Sequence, residues 1–71
     1  MRKIRLRVKE IAASKGVSMT KLHKQSDVAY SVIRAIFRNS YTEVTLTTVA
    51  RLGQALGVST AELLEDVDSE E

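Results

Sequence analysis

Apolar residues recur at helical spacing along most of this chain. Ile4, Val8, Ile11 and Ala12 form the first such set, and Gly16 then closes it, as a residue just past a helix C-terminus often does. The spacing predicts a first helix over about Leu6 to Lys15. Ile4, Leu6 and Val8 also alternate, so Arg2 to Arg5 reads as a short strand or a basic arm as well. Ser18 is placed to cap a second, short helix from Met19 to about Ser26, anchored by Met19 and Leu22. Ser26-Asp27-Val28-Ala29 reads as a tight turn with Val28 pointing inward. A third helix from Tyr30 to about Arg38 carries Val32, Ile33, Ile36 and Phe37 as its buried stripe.

After a polar loop from Asn39 to Val44, Thr45 can cap a fourth helix over Leu46 to about Leu56. Its inward set is Leu46, Val49, Ala50, Leu52 and Leu56, and Gly57 is its stop. Ser59-Thr60-Ala61-Glu62 is a capping box, in which Ser and Glu satisfy each other's free backbone donors. It opens a short fifth helix through Leu63 and Leu64. Glu65 to Glu71 is an acidic tail with no helical anchor beyond Val67, and it is expected to fray. There is no internal repeat and no interdomain linker. The expected architecture is all-α, five helices in one domain over residues 1–71.

Two short helices joined by a tight turn in a domain this small suggest a helix-turn-helix. The outer face of the third helix carries the chemistry. Removing its buried stripe leaves Tyr30, Ser31, Arg34, Ala35 and Arg38. Tyr30, Arg34 and Arg38 follow at intervals of four and line one edge, with Ser31 and Ala35 beside them. An isolated pair of arginines usually only solvates a helix, but here the whole face lacks an acid. Such a face suits the major groove of DNA, which is about 12 Å wide and admits one helix. Arg can hold guanine O6 and N7 with two parallel bonds, a Ser hydroxyl serves several bases, and Ala can meet a thymine methyl. Tyr30 can bond a phosphate or pack on a sugar or base edge.

Charge strengthens that picture. The net charge is only +2, yet residues 1–38 hold ten Lys or Arg and two acids, a balance of +8, and residues 39–71 hold Arg51 and seven acids, a balance of −6. Such asymmetry points to a polyanion partner for the basic half. Composition excludes other classes. With 71 residues the chain buries only roughly 60% of its unfolded surface and has no bulk for a deep pocket. It has no Cys and one His, too few for an ordinary structural zinc site. Its three Gly are isolated, so there is no phosphate-cradling loop. The lone His23 falls within a helix pair, which makes a Ser-His-Asp triad improbable. No enzyme, metal or cofactor is expected. No apolar run reaches the ~20 residues of a membrane span and no signal-peptide core is visible, so the expected location is cytoplasmic.

Residues 18–39, SMTKLHKQSDVAYSVIRAIFRN, resemble the helix-turn-helix of the Cro and CI-type repressors, the XRE family. TLTTVARLGQALGVSTAELL, residues 45–64, is similar to that family's fourth and fifth helices. Leu22, Val28, Ile33 and Ile36 stand at its usual apolar positions. The resemblance spans roughly Ile4 to Leu64 and implies a compact, lambda repressor-like five-helix domain binding double-stranded DNA. It also implies that Tyr30, Ser31, Arg34 and Ala35 lie at base edges. Phosphates would be gripped by Met19, Thr20 and Lys21 on one side and by Arg38, Asn39, Tyr41 and Thr42 on the other. Helix N-termini favour anions, which suits the Met19 and Thr20 amides. Lys24 and the Arg2, Lys3, Arg5 and Arg7 cluster add non-specific attraction, or the cluster is simply a solvated mobile segment.

Four residues depart from the family pattern. His23 sits where a small residue normally lets the second and third helices approach. It reads as a partly buried His, tilted outward or hydrogen-bonded, rather than a pH switch. Asp27 replaces the usual turn Gly, and Asp tolerates the left-handed conformation better than most residues. Ala29 lacks a capping hydroxyl, at a cost of ~1 kcal/mol. Gly53 interrupts the fourth helix at a similar cost of ~1 kcal/mol unless close packing needs it. The expected function is transcriptional regulation, most simply repression, by a homodimer with Leu63, Leu64 and Val67 as candidate interface residues. Alternatively these leucines finish the monomer core, and an Arg2–Arg5 strand could pair with the C-terminal segment, within one subunit or between two. The alternative is a protein-interaction module such as an antitoxin, its acidic Glu62 to Glu71 segment facing a basic toxin.

Overall fold

The computed structural model describes residues 2–68. In chain order it contains β1 (Arg2–Leu6), α1 (Val8–Ser14), α2 (Met19–Ser26), α3 (Tyr30–Arg38), α4 (Leu46–Leu56), a single 3₁₀ turn (Ala61–Leu63) and β2 (Leu64–Asp68). The middle three helices have the bounds that their caps and apolar stripes predict. Ser18 Oγ accepts the Lys21 amide at 3.1 Å and Thr45 Oγ1 accepts the Thr48 amide at 3.2 Å, each satisfying one of the free donors at a helix start. Ala29 starts α3 without any side-chain cap. Asp27 ends α2 in the left-handed region at φ 60°, and its amide donates to His23 O at 3.1 Å.

The helices close around one core. Val8 from α1, Leu22 from α2, Ile33 and Ile36 from α3, Leu52 from α4 and Leu63 from the 3₁₀ turn have no exposed surface. Val28, in the α2–α3 turn, is buried with them. Helix α2 packs on both α3 and α4, and α1 reaches the same two helices. This leaves the side of α3 opposite Ile33 and Ile36 facing outward.

Gly53 is buried inside α4, and a Cβ there would lie 2.9 Å from Val58 O and 3.4 Å from Leu63 Cδ1. Close packing therefore requires a glycine at this point. The capping box forms as expected: Glu62 Oε1 accepts the Ser59 amide at 3.1 Å, and Ser59 Oγ accepts the Glu62 amide at 3.2 Å.

The two ends of the chain bear out the strand reading of Arg2 to Arg5 and its pairing with the C-terminal segment within one subunit, and depart from the rest of the expectation. The domain is not all-α: among the described residues it has four α-helices rather than five, a 3₁₀ turn and a two-stranded antiparallel sheet. The first helix does not begin at Leu6. The Leu6 amide donates to Ser40 O at 2.7 Å and the Arg7 amide to Leu63 O at 2.8 Å, and these bonds hold the chain extended until Val8. The fifth helix stops at Leu63, and Leu64 is already strand. Glu65 to Asp68 do not fray but pair with β1, in the register Arg2↔Asp68, Lys3↔Val67, Ile4↔Asp66, Arg5↔Glu65 and Leu6↔Leu64. The remainder of the expected acidic tail, residues 69–71, lies outside the described residues. Opposite charges facing each other across two strands stabilise the pair, which is why a basic and an acidic segment fold together although neither does so alone.

Helix α4 corrects two further positions. Ala50 is exposed because it lies about 100° around the helix from Val49, beyond the stripe of Val49, Leu52, Gly53 and Leu56. Leu46 opens the helix at the rim of the core and stays 69% exposed.

Candidate nucleic-acid interface

Helix α3 presents the residues that its periodicity leaves over. Tyr30 is 39% exposed, Ser31, Arg34 and Arg38 are exposed, and Ala35 is half-buried. Among the described residues neither Arg34 nor Arg38 takes part in an ion pair. Both guanidinium groups are therefore unpaired on a helix that itself carries no acid; Glu43, in the following loop, lines the shallow cleft beside Ser31 and Ala35.

Tyr30 is positioned from behind. The His23 ring meets it edge to face, with centroids 6.0 Å apart and planes at 86°. His23 Nδ1 lies 2.7 Å from Val28 O. A carbonyl only accepts, so Nδ1 carries the proton and donates across the turn. The hydrogen-bonded alternative for His23 is the one the structure shows. The imidazole ties α2 to the turn and supports the first residue of α3.

The flanking phosphate candidates fall into two groups. At the start of α2, Thr20 and Lys21 are exposed and Met19 is half-buried. Ser18 takes the Lys21 amide, so the Met19 and Thr20 amides have no intrahelical acceptor. Beyond α3, Asn39 Oδ1 accepts the Tyr41 amide at 3.0 Å and the Asn39 backbone amide donates to Ala35 O at 2.9 Å, so the side-chain Nδ2 of this exposed residue is the donor it has left. Tyr41 is 43% exposed, with the Lys3 ammonium 5.6 Å from its ring centroid. Thr42 differs from expectation. Its hydroxyl donates toward Asn39 O at 2.7 Å and Ala35 O at 3.1 Å, and its amide donates to Asn39 O at 3.1 Å. Both of its donors serve the C-terminus of α3, so neither is free for a phosphate.

The N-terminal arginines are neither a mobile arm nor free charge. Arg5 bridges Glu65 at 2.6 Å and Glu10 at 3.0 Å, Arg7 meets Glu10 at 3.1 Å, and Arg2 meets Asp66 at 3.4 Å. Hydrogen bonds from Arg5 and then Arg7 hold the Glu10 carboxyl below its ordinary range. The Glu65 and Glu10 carboxylates likewise raise the already high pKa of Arg5. Lys3, beside Tyr41, is a cation that sequence reasoning did not place at the loop, because residues 38 apart carry no local signal of meeting.

Of the three C-terminal interface candidates, Leu63 is fully buried in the subunit's own core, so its side chain has nothing to offer a partner. Leu64 and Val67 are half-buried in β2.

Comparison with known proteins bears on the same segment. A family model for the Cro/C1-type HTH DNA-binding domain matches residues 7–69. The chain belongs to this family. The match takes in α2, the turn and α3, and begins just after β1. Among solved structures, a chain of the SinR protein/SinI protein complex resembles this Cro/C1-type domain, with 30% identity and a TM-score of 0.72 over 80% of the present chain and 55% of that one. The present chain thus spans about half the length of that relative. No curated protein matches it. Among the described residues, no group of three or more His, Cys, Asp or Glu could hold a metal ion, and no helix is long and apolar enough to cross a membrane.

Proposed function

We propose that this Cro/C1-type domain is a sequence-specific transcriptional repressor of the cytoplasm, with no catalytic role, that inserts Tyr30 to Arg38 into the major groove. The observation that carries this reading is the acid-free outer face of α3, with Arg34 and Arg38 exposed and unpaired among the described residues. Tyr30, Ser31, Arg34 and Ala35 meet base edges. Lys21, Arg38, Asn39, Tyr41 and the amides at Met19 and Thr20 grip the backbone on either side. A single module of this kind buries only about 600–1,000 Å² on DNA, so a homodimer reading a two-fold site raises both affinity and specificity.

Selection from a random DNA library at two salt concentrations tests the assignment, with Arg34→Ala run alongside. The variant is expected to lose about 1–3 kcal/mol on the best site and to relax preference at one base pair. A uniform loss on every sequence would make Arg34 a phosphate contact and remove it from the base-reading set.

A second reading has the same fold engage a protein such as a toxin. It draws support from the solved relative, which is a complex of two proteins. Its expected docking segment is weakened, because Glu65 and Asp66 are already paired with Arg5 and Arg2. A protein partner that displaces the chain from its operator would favour this reading.

A further inference from the structure

We propose that the groove between β1 and the α3–α4 loop is where a second copy of this chain docks, closing a two-fold dimer. The proposal rests on the DNA-binding reading for its purpose but not for its geometry. Large apolar side chains exposed singly are ordinary on a protein surface. Among the described residues four are exposed, and three of them, Ile4 at 52%, Tyr41 at 43% and Leu46 at 69%, line one groove. Tyr30, the fourth, lies on the α3 face.

Charge selects the occupant. Lys3 and Glu43 line the same groove, and among the described residues neither is in an ion pair, whereas Arg2, Arg5, Arg7, Glu10, Glu65 and Asp66 all are. A two-fold contact applies one patch to itself, so residue i meets j and j meets i. A patch bearing one cation and one anion around an apolar centre satisfies that rule: Lys3 of each copy faces Glu43 of the other. A partner surface of a single sign would repel one of the two.

Position fits the same occupant. Glu43 also lines the shallow cleft that reaches Ser31 and Ala35 on α3. The proposed contact therefore borders the α3 side of each copy, which is where the dimer of a protein reading two half-sites would have to close. Leu64 lines the groove as well, so it alone of the three C-terminal residues considered from sequence remains part of the contact.

Sedimentation equilibrium of the full chain without DNA tests the proposal. Wild type is expected to dimerise with concentration. Leu46→Glu is expected to raise the dissociation constant by about a hundredfold. Lys3→Glu and Glu43→Lys are each expected to raise it by about tenfold, with the double exchange returning to wild type. All these positions lie at the surface, and a melting temperature equal to that of wild type, measured at a concentration where both are monomeric, checks that the variants fold.

A chain that stays monomeric to about 1 mM overturns the proposal. So does a dimer indifferent to Leu46→Glu, or a double exchange as weak as the single ones. A photo-crosslinker at position 46 that captures another protein and not a second copy overturns it too. The two readings fail separately. A monomer that keeps Arg34-dependent base preference overturns the dimer alone, and a dimer without sequence preference overturns the DNA reading alone.

Discussion

At the scale of single residues, three of the four departures from the family pattern are local solutions with identifiable causes, and Ala29 leaves α3 uncapped. Asp27 accepts the left-handed backbone at φ 60° that the turn demands. His23 fills the space a smaller side chain would leave and uses it to bond Val28 O and support Tyr30. Gly53 is the sharpest case, because two effects oppose each other there. Replacing a mid-helix glycine with alanine ordinarily gains about 1 kcal/mol of helix propensity. Here the added Cβ would stand 2.9 Å from Val58 O, a backbone atom that cannot swing aside, since the Val58 amide is itself bonded to Gly53 O at 2.9 Å. Overpacking of this kind costs about 1–3 kcal/mol, so Gly53→Ala should lower stability by about 1 kcal/mol net. Urea unfolding measures it, and a variant with a higher midpoint than wild type would refute the packing argument.

At the scale of elements, α2, α3 and α4 were legible from sequence because each carries its own instructions: a capping Ser or Thr, an apolar stripe, a residue that tolerates the left-handed stop. The Tyr30, Ser31, Arg34 and Arg38 surface was legible for the same reason, being what remains when that stripe is subtracted. The sheet was legible only as one option among several: Arg2 to Arg5 alternates like a strand and could pair with the C-terminal segment, within one subunit or between two, and the structure shows the pairing within one. Its strands are five residues each and their partners lie about sixty positions apart, so no local signal chooses among those options; the cue that does is charge complementarity between a basic and an acidic segment. Thr42 was misread, because only the folded loop commits its donors to α3. The sheet's ion pairs extend onto α1 through Glu10, and they make a pH prediction. The Arg5 and Arg7 hydrogen bonds depress the folded-state pKa of Glu10 from the ordinary value of 4.5. A group depressed on folding stabilises above its unfolded pKa, and that contribution disappears as pH falls through the folded value. The melting temperature of wild type should therefore drop more steeply than that of Glu10→Gln as pH falls below 4.5. Parallel curves for the two proteins would mean that the ion pairs seen around Glu10 do not persist in solution.

At the scale of the whole molecule, the arrangement of charge separates cations that hold the fold from cations left for a ligand. The basic excess of the first half looks uniform along the sequence, but folding divides it. Arg2, Arg5 and Arg7 are neutralised by acids of β2, α1 and their surroundings. Helices α2 and α3 contain no acid at all, and Lys21, Lys24, Arg34 and Arg38 are exposed and outside every ion pair among the described residues. Each phosphate neutralised by a bound cation releases counterions, and the logarithm of the binding constant falls with the logarithm of salt concentration by about 0.9 per contact. Titrations of an operator duplex at several salt concentrations should then show Lys21→Ala flattening that slope by about one unit. Arg5→Ala should leave the slope unchanged while lowering the melting temperature, because its charge is already satisfied within the protein. If Arg5→Ala flattened the slope as much as Lys21→Ala does, β1 would have to lie against the DNA backbone. The docking of α3 would then need a different orientation from the one its outer face implies.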